Sequence, residues 1–403
     1  MKNLNLIILL ISLVVAMMGY GIAMPVLPFY LDTLGGRGIH YGLLIACYGF
    51  MQLIFAPLWG SLSDKHGRKP MLLLGMAGLG LAMVLFALST QLWMLYAAQL
   101  LAGSMSSATP PAAQAYAADC TGASERSGAM GKIGGAIGVG AILGPGLGGL
   151  LATTTLAAPF FIASAFCGLT FLIVLAYLPE SLPKEKRSSD IQVKFIQVRG
   201  MWQSLFSPAG FGLLAAFVAI FGQTIFSGVF GLYALGRFGY GPEQVGTILM
   251  SMALMYALAQ GLIVGPLTKK FGEEKVVLMA MLGSSAGFAL ILMAGTFVTI
   301  LLAMSFFILL NSLLKPTALA YVSKYATGNQ GQAMGIAESY MSLGRIMGPL
   351  WAGVIFDVNL LLPFLSGALL FFAAFFVSLK QIRPKVNPEL TAHNKEINPN
   401  VFR

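Results

Sequence analysis

The amino-acid sequence predicts an all-α membrane protein: twelve transmembrane helices in two pseudo-symmetric six-helix bundles. Three observations predict it. Of 403 residues, 57% are hydrophobic and only 9% charged, with a mean hydropathy of +0.82, whereas a soluble domain carries roughly 25% charged residues. Apolar runs of about 20 residues, the length a helix needs to cross about 30 Å of hydrocarbon, recur twelve times. Two local patterns then repeat at almost the same spacing. Gly60-Ser-Leu-Ser-Asp64-Lys65-His-Gly67 aligns with Gly265-Pro-Leu-Thr-Lys269-Lys270-Phe-Gly272 at an offset of 205, and Gly140-Ala-Ile-Leu-Gly144-Pro145 aligns with Gly344-Arg-Ile-Met-Gly348-Pro349 at an offset of 204. Separate matches at one spacing imply a duplicated six-helix unit, with a site between the copies near the bilayer midplane.

In order, the spans are expected near residues 6–30, 39–62, 70–90, 92–117, 128–152, 157–178, 208–233, 243–267, 275–294, 297–323, 330–355 and 361–380. The first is read as a retained span, because no small-residue cleavage site followed by a soluble domain comes after it. This divides the chain into an N-terminal bundle (1–178), a polar linker (179–207) containing PESLPKEKRSSD, a C-terminal bundle (208–380) and a polar tail (381–403). A short amphipathic helix lying at the interface is expected around Ile191 to Trp202.

Of the 24 basic residues, Arg37 and Arg237 fall on one side of the membrane and Lys315 and Arg345 within spans. The others fall on the side of the linker and both termini. Cytoplasmic loops carry the Lys and Arg excess, so both termini are expected in the cytoplasm of a cell carrying this protein in its inner membrane. The net charge of +10 is therefore topological and does not point to a nucleic-acid partner. Cys47, Cys120 and Cys167 lie in or beside apolar runs without disulfide or metal spacing, so neither a cofactor nor a metal is expected.

The polar knot Gly60 to Lys69, GSLSDKHGRK, cannot lie in hydrocarbon and must turn between the second and third spans. It resembles the signature loop of the major facilitator superfamily, G-x-L-x-D-R-x-G-R-K, in Gly60, Leu62, Asp64, Gly67, Arg68 and Lys69, with Lys65 in the usual Arg place. The resemblance implies that Asp64 latches the outward-open state against the other half and that Arg68 reaches Asp119. Ordinary solvated loop charges are the alternative. In the second copy the acid becomes Lys269, so the latch is expected on one side only.

The fifth span, GKIGGAIGVGAILGPGLGG, carries glycines at four-residue spacing, which let helices approach backbone to backbone, and Pro145 bends it. Gly140, Gly144, Pro145, Gly148 and Gly149 match G-x-x-x-G-P-x-x-G-G, the fifth-span motif of exporters in that superfamily. Further stretches, GIAMPVLP (21–28), LWMLYAAQLLAG (92–103) and ALAQGLIVGPLTKKFGEEK (257–275), resemble bacterial tetracycline/proton antiporters and their multidrug-efflux relatives. The family's polar positions are matched by Gln52, Gln223 and Gln260. Its first- and third-span acids fall on Ala16 and Ala82, its fourth-span arginine on Gln99 and its eighth-span histidine on Tyr256.

Ionisable groups inside a span are costly and are functional candidates by default. By residue count, at 1.5 Å per residue, Lys315 and Glu338 sit roughly 10 to 14 Å below the cytoplasmic surface and could meet. Arg345, two turns above Glu338 on the same face, competes for its carboxylate. Two readings stand open: Glu338 carries a proton, or the three groups form a permanent ion-pair cluster joining the tenth and eleventh spans. The superfamily lines its cavity with the first, fourth, seventh and tenth spans. This nominates Met17, Tyr20, Met24, Gln99, Met105, Gln223, Phe226, Phe230, Phe307 and Asn311 for substrate contact, with Gln52, Tyr256 and Gln260 beside them. Soft Met and Phe walls with a few amides suit a lipophilic, cationic or planar compound.

The resemblance thus implies a monomeric secondary transporter that exports small amphipathic compounds, such as tetracycline-like or multidrug substrates, in exchange for protons. Export of one endogenous metabolite, such as a siderophore, is the rival. An intramembrane enzyme is disfavoured, because His40, His66 and His393 lie in loops or the tail and leave no His-based dyad within the spans. A sensor that transports nothing and an importer are the remaining alternatives, the importer disfavoured by the glycine–proline motif.

Overall fold

The computed structural model describes residues 2–121, 126–183, 185, 187, 198–325 and 330–381; among them every regular element is a helix. They are α1 (Lys2–Thr33), α2 (Gly38–His66), α3 (Arg68–Ala87), α4 (Leu92–Ser106), α5 (Thr109–Cys120), α6 (Arg126–Leu151), α7 (Ala158–Tyr177), α8 (Val198–Leu205), α9 (Gly210–Ser227), α10 (Phe230–Phe238), α11 (Pro242–Leu258), α12 (Val264–Phe271), α13 (Glu273–Met293), α14 (Phe297–Tyr325), α15 (Gln330–Phe356) and α16 (Leu362–Gln381). Ten of the described helical lengths are long and apolar enough to cross a membrane. The end-to-end pair α4 and α5 and the 27-residue α15, which carries Glu338 and Arg345, supply two further lengths. The chain is an all-α, multi-pass membrane protein.

Three expected spans are interrupted, each for a local reason. The span expected over 92–117 breaks at Ser107 and Ala108, where Ser107 Oγ donates to Ser104 O at 2.7 Å. It restarts at Thr109, with Pro110 and Pro111 in the first turn, where a missing N–H costs nothing. The span expected over 208–233 breaks at Gly228, whose Cα side lies against Pro349, and then continues as α10 to Gly239, a left-handed cap with φ 68°. Between α11 and α12 the helix widens into a π turn over Ala259–Ile263. In α14, Pro316 cannot donate to the carbonyl of Ser312, four residues back. The side chain of Gln260, in that π turn, donates to Ser312 O at 3.2 Å instead, so no carbonyl is left bare in hydrocarbon.

The amphipathic helix expected over 191–202 is described only from Val198, and it ends at Leu205. It is pinned by Tyr340, whose hydroxyl donates to Met201 O at 2.9 Å. Residues 188–197, and the tail from 382, lie outside the described residues.

The duplication is visible as packing. In the first copy α6 lies on α1: a Cβ at Gly140 would meet Val14 O and Met17 Cβ, and Gly144 and Gly148 press against Gly21 and Ile22. In the second copy α15 lies on α9, with Gly344 against Phe217 O and Phe221 N, and Gly348 against Phe221 O. The two copies then meet through two matching seams. Gly42 of α2 abuts Pro349 O and Gly353 Cα of α15, and 204 residues on, Gly246 of α11 abuts Pro145 O and Gly149 Cα of α6. Both seams, and the contact of Gly231 with Pro28, lie toward the end of the molecule carrying residues 34–37 and 239–241. At the end carrying the 60–69 loop, a Cβ added at Gly60, Gly131, Gly134, Gly135, Gly138, Gly261 or Gly265 would meet nothing within 4 Å. Among the described residues the packed contacts between the copies gather at the first of these ends, and no helix pair across the copies is comparably packed at the other.

Candidate functional site

Two polar assemblies stand out in this apolar frame. The first is the turn between α2 and α3. Gly67 makes it, with φ 110°, a conformation other residues rarely adopt. Arg68 follows, almost fully buried, and its guanidinium has three partners: it pairs with Asp64 Oδ1, donates to Ser63 Oγ at 3.1 Å, and pairs through Nε with Asp119 Oδ2 at 3.1 Å. Ser181 Oγ donates to the same Asp119 oxygen. Glu180, which the sequence reading did not single out, caps the start of α3, accepting from Arg68 N at 2.8 Å and Lys69 N at 3.1 Å. A carboxylate on the first N–H groups of a helix is favoured by both the orphan donors and the helix dipole. Arg68 therefore meets Asp119, as the sequence suggested. Asp64 differs from expectation: in this conformation its described partner is Arg68 of its own turn, and its side chain stays 57% exposed.

The second assembly crosses between the copies near mid-span. Arg345 of α15 donates to Gln52 Oε1 of α2 at 3.4 Å, and its other terminal nitrogen lies 3.6 Å from Glu338 Oε1. Its stem and carbonyl lie against Gly49. On the first copy Tyr20 and Tyr48 pack as a tilted pair with ring centroids 4.8 Å apart, both within electrostatic range of Arg345, and Tyr48 shares a hydrogen bond of 3.3 Å with Ser106 Oγ. Lys315 of α14 lies within electrostatic range of both Glu338 and Arg345, and among the described residues it forms no ion pair or hydrogen bond. Of the two cations expected to share the Glu338 carboxylate, Arg345 is the one within ion-pair distance.

The other nominated residues divide. Tyr20, Met24 and Gln99 share a narrow cavity of about 10 Å³ with Ala23, Ile45 and Phe86, room for about one water. Gln99 is only 4% exposed. Met17 lies against Gly140 and Met105 against Gly78, both in helix seams. Gln223 and Tyr256 are half-buried. Phe226, Phe230 and Phe307 do not line an opening: they are almost fully buried in an aromatic core with Phe288 and Phe371. Asn311, also buried, is used in joining helices, its amide donating to Ala219 O at 3.2 Å, and Gln260 serves the carbonyl freed by Pro316. Of the loop and fifth-span residues, Gly60 has open space around it, and Gly140, Gly144 and Gly148 sit on α1 with Pro145.

Tyr41, Tyr48 and Gln52, spaced by seven and four residues along α2, form a polar face whose period could have been read from the sequence. Away from that site, at the end carrying residues 34–37, stands Asp357, just beyond the end of α15. Its carboxylate caps the start of α2, accepting from Gly38 N at 2.7 Å and Ile39 N at 3.0 Å. No local pattern announces that contact, which joins positions 319 residues apart.

Comparison with known proteins places this geometry. The family model described as "Major Facilitator Superfamily" matches residues 9–241 and 212–401. The chain is 34% identical over 364 residues to "Multidrug resistance protein 2" of Bacillus subtilis (strain 168), covering 89% of this chain and 90% of that protein. It is 33% identical over 360 residues to "Tetracycline resistance protein, class D" of Salmonella ordonez, covering 87% and 89%. Among solved structures, the nucleoside transporter NupG superposes with a TM-score of 0.80 at 14% identity, over 94% of this chain and 100% of that one, which speaks to the fold alone. With the duplicated seams, the Gly60–Lys69 turn and this match running over nearly the whole length, the chain belongs to the Major Facilitator Superfamily.

Proposed function

We propose that this protein is a secondary active exporter of small amphipathic compounds, working by alternating access and driven by proton exchange. The observation that carries this reading is the arrangement of the two copies around a polar centre, closed on each other through paired glycine–proline seams at one end and without comparable packing, hence open, at the other. A carrier that exposes its site to one side at a time needs that geometry. The direction of transport rests on the fifth-span motif and on the kinship with multidrug and tetracycline resistance proteins.

The twelve spans are assigned as α1, α2, α3, α4 with α5, α6, α7, α9 with α10, α11 with α12, α13, α14, α15 and α16. They form two units, 1–178 and 208–380, joined by the 179–207 linker. Placing the Lys- and Arg-rich segments inside puts both termini in the cytoplasm and the protein in the inner membrane. The open end then faces the cytoplasm, where an exporter collects its substrate. In the outward-open state the 60–69 turn would close on the other half, with Asp64 released toward it.

Glu338, the acid that faces Arg345 across 3.6 Å, is assigned the proton. Protonation would release Arg345 from its 3.6 Å partner, giving the centre two discrete arrangements. Glu338→Gln, with folding verified by gel filtration, is expected to abolish proton-driven transport in reconstituted vesicles. Retained proton-coupled transport would make the Glu338–Arg345 pair purely structural. The export reading itself is tested in an efflux-deficient bacterium, by accumulation of a drug and metabolite panel with and without a protonophore. If no compound accumulates less in expressing cells, the reading fails.

A further inference from the structure

The charge of the central site has a sign that its apolar walls do not convey. Among the described residues within the spans, the ionisable side chains gathered here are Lys315, Glu338 and Arg345: two cations and one acid. Arg345 faces Glu338 at 3.6 Å, so these two largely compensate one another. Lys315 is left over. Among the described residues its ammonium has no hydrogen bond or ion pair closer than its electrostatic range to Glu338 and Arg345, and its surroundings remove much of its water. A cation held in a low-dielectric centre without a partner is costly. Proteins retain such a group where something else supplies the opposite charge.

Neutral hydrogen-bonding groups stand across from Arg345 on the first copy. Tyr20, within electrostatic range of Arg345, and Gln99 line one narrow cavity. The acids nearest the open end do not offset the balance: Asp64 and Asp119 are both taken by Arg68, and Glu273 by Lys324 at 3.3 Å.

We infer that the site takes an organic anion, a compound carrying a carboxylate or sulfonate on an apolar body, with the Lys315 ammonium as its counter-ion and Arg345 as a second donor. This inference rests on the export reading above and narrows its substrate class. It reverses the sign that Met and Phe walls alone suggest, since a lipophilic cation would meet net repulsion here. With the anion bound, the centre carries no net charge while the two halves rock past the midplane. The inside-negative membrane potential also favours outward movement of a negative charge, by about 2.3 kcal/mol per 100 mV.

The test separates binding from transport. Purified full-length protein is titrated with carboxyfluorescein, an anion, and with ethidium, a cation. The native protein and the Lys315→Arg variant are expected to bind carboxyfluorescein, and Lys315→Gln to bind it at least tenfold more weakly, while all three share one elution profile and melting temperature. Ethidium bound more tightly than carboxyfluorescein, or carboxyfluorescein bound equally by Lys315→Gln and native protein, overturns the inference. Should Lys315→Gln unfold, loss of carboxyfluorescein binding in Lys315→Arg would overturn it just as well. The same two dyes are then followed in reconstituted vesicles. Lys315-dependent binding without any transport would count against the export reading while leaving the anion site standing.

Discussion

The two seams that join the halves share a backbone and differ in chemistry. Gly42 with Pro349 and Gly353, and Gly246 with Pro145 and Gly149, are the same contact repeated 204 residues apart. Beyond it the first seam gains a carboxylate: Asp357 caps the N-terminus of α2 through Gly38 and Ile39. The corresponding positions of the second seam are Thr153 and Pro242, and Pro has no N–H to offer such a cap. At the opposite end the imbalance is inverted. The first copy has Asp64 and Arg68 in its turn, whereas the second has Lys269 and Lys270. Duplication supplied the shape, while the charges differ between the copies: the Arg68–Asp119 pair of the first stands, 205 residues on, as Glu273–Lys324 with its signs reversed in the second.

The largest effect should come from breaking the shared contact. Gly42→Val would drive side-chain atoms into Pro349 O, and Gly246→Val into Pro145 O; overpacking of this kind costs about 1–3 kcal/mol. Either is expected to cut transport by at least tenfold and to shift the protein away from the conformation described above. The shift is measured as increased labelling of a cysteine introduced at residue 36. If one variant is silent while the other is severe, the seams are not equivalent.

Asp64→Asn comes next. It is expected to slow turnover several-fold while leaving substrate affinity nearly unchanged, because Asp64 is remote from the central site. A large loss of affinity with normal cycling would contradict a role confined to gating.

Asp357→Ala removes both acceptors from the start of α2, a loss of about 1 kcal/mol for a helix cap. This should change the ratio of the two conformations by about fivefold, read by the same labelling. Thr153→Asp, which has one donor, Glu243 N, in place of the two that Asp357 uses, because Pro242 offers none, should move that ratio less. The smallest expected effect is Gln260→Ala, which leaves Ser312 O without its donor at a cost of about 0.6 kcal/mol, typical of hydrogen bonds between membrane helices. A modest fall in melting temperature with unchanged transport would confirm that Gln260 serves the helix and not the substrate.

Most of the fold was legible because hydrocarbon permits so few solutions. Run length gave the helices. The equivalence of Gly140–Pro145 and Gly344–Pro349 announced two copies before any coordinate did, and Arg68 found Asp119 as expected. The site was read less well. Phe226, Phe230, Phe307 and Asn311 fall on the appropriate helices, but helix membership does not say which side of a helix faces the centre. In a membrane protein both sides are apolar, so the usual periodic signal is missing. Asp357 and Glu180 were passed over because a helix cap supplied from a distant segment has no local spacing. Lys315 and Glu338 were placed at similar depth by counting residues, and that depth alone could not say that Arg345 would take the carboxylate.

The glycine seams bear also on how fast the molecule can change state. Where α2 meets α15 and α6 meets α11, carbonyls and Cα atoms touch with few side chains interlocked between them. Parting such surfaces asks little change of rotamer. The activation barrier for opening that end should therefore lie in a few polar contacts, chiefly Asp357 on Gly38 and Ile39 and Arg345 on Gln52. The temperature dependence of turnover would then report on breaking those contacts and would be nearly indifferent to the size of the apolar residues lining the spans.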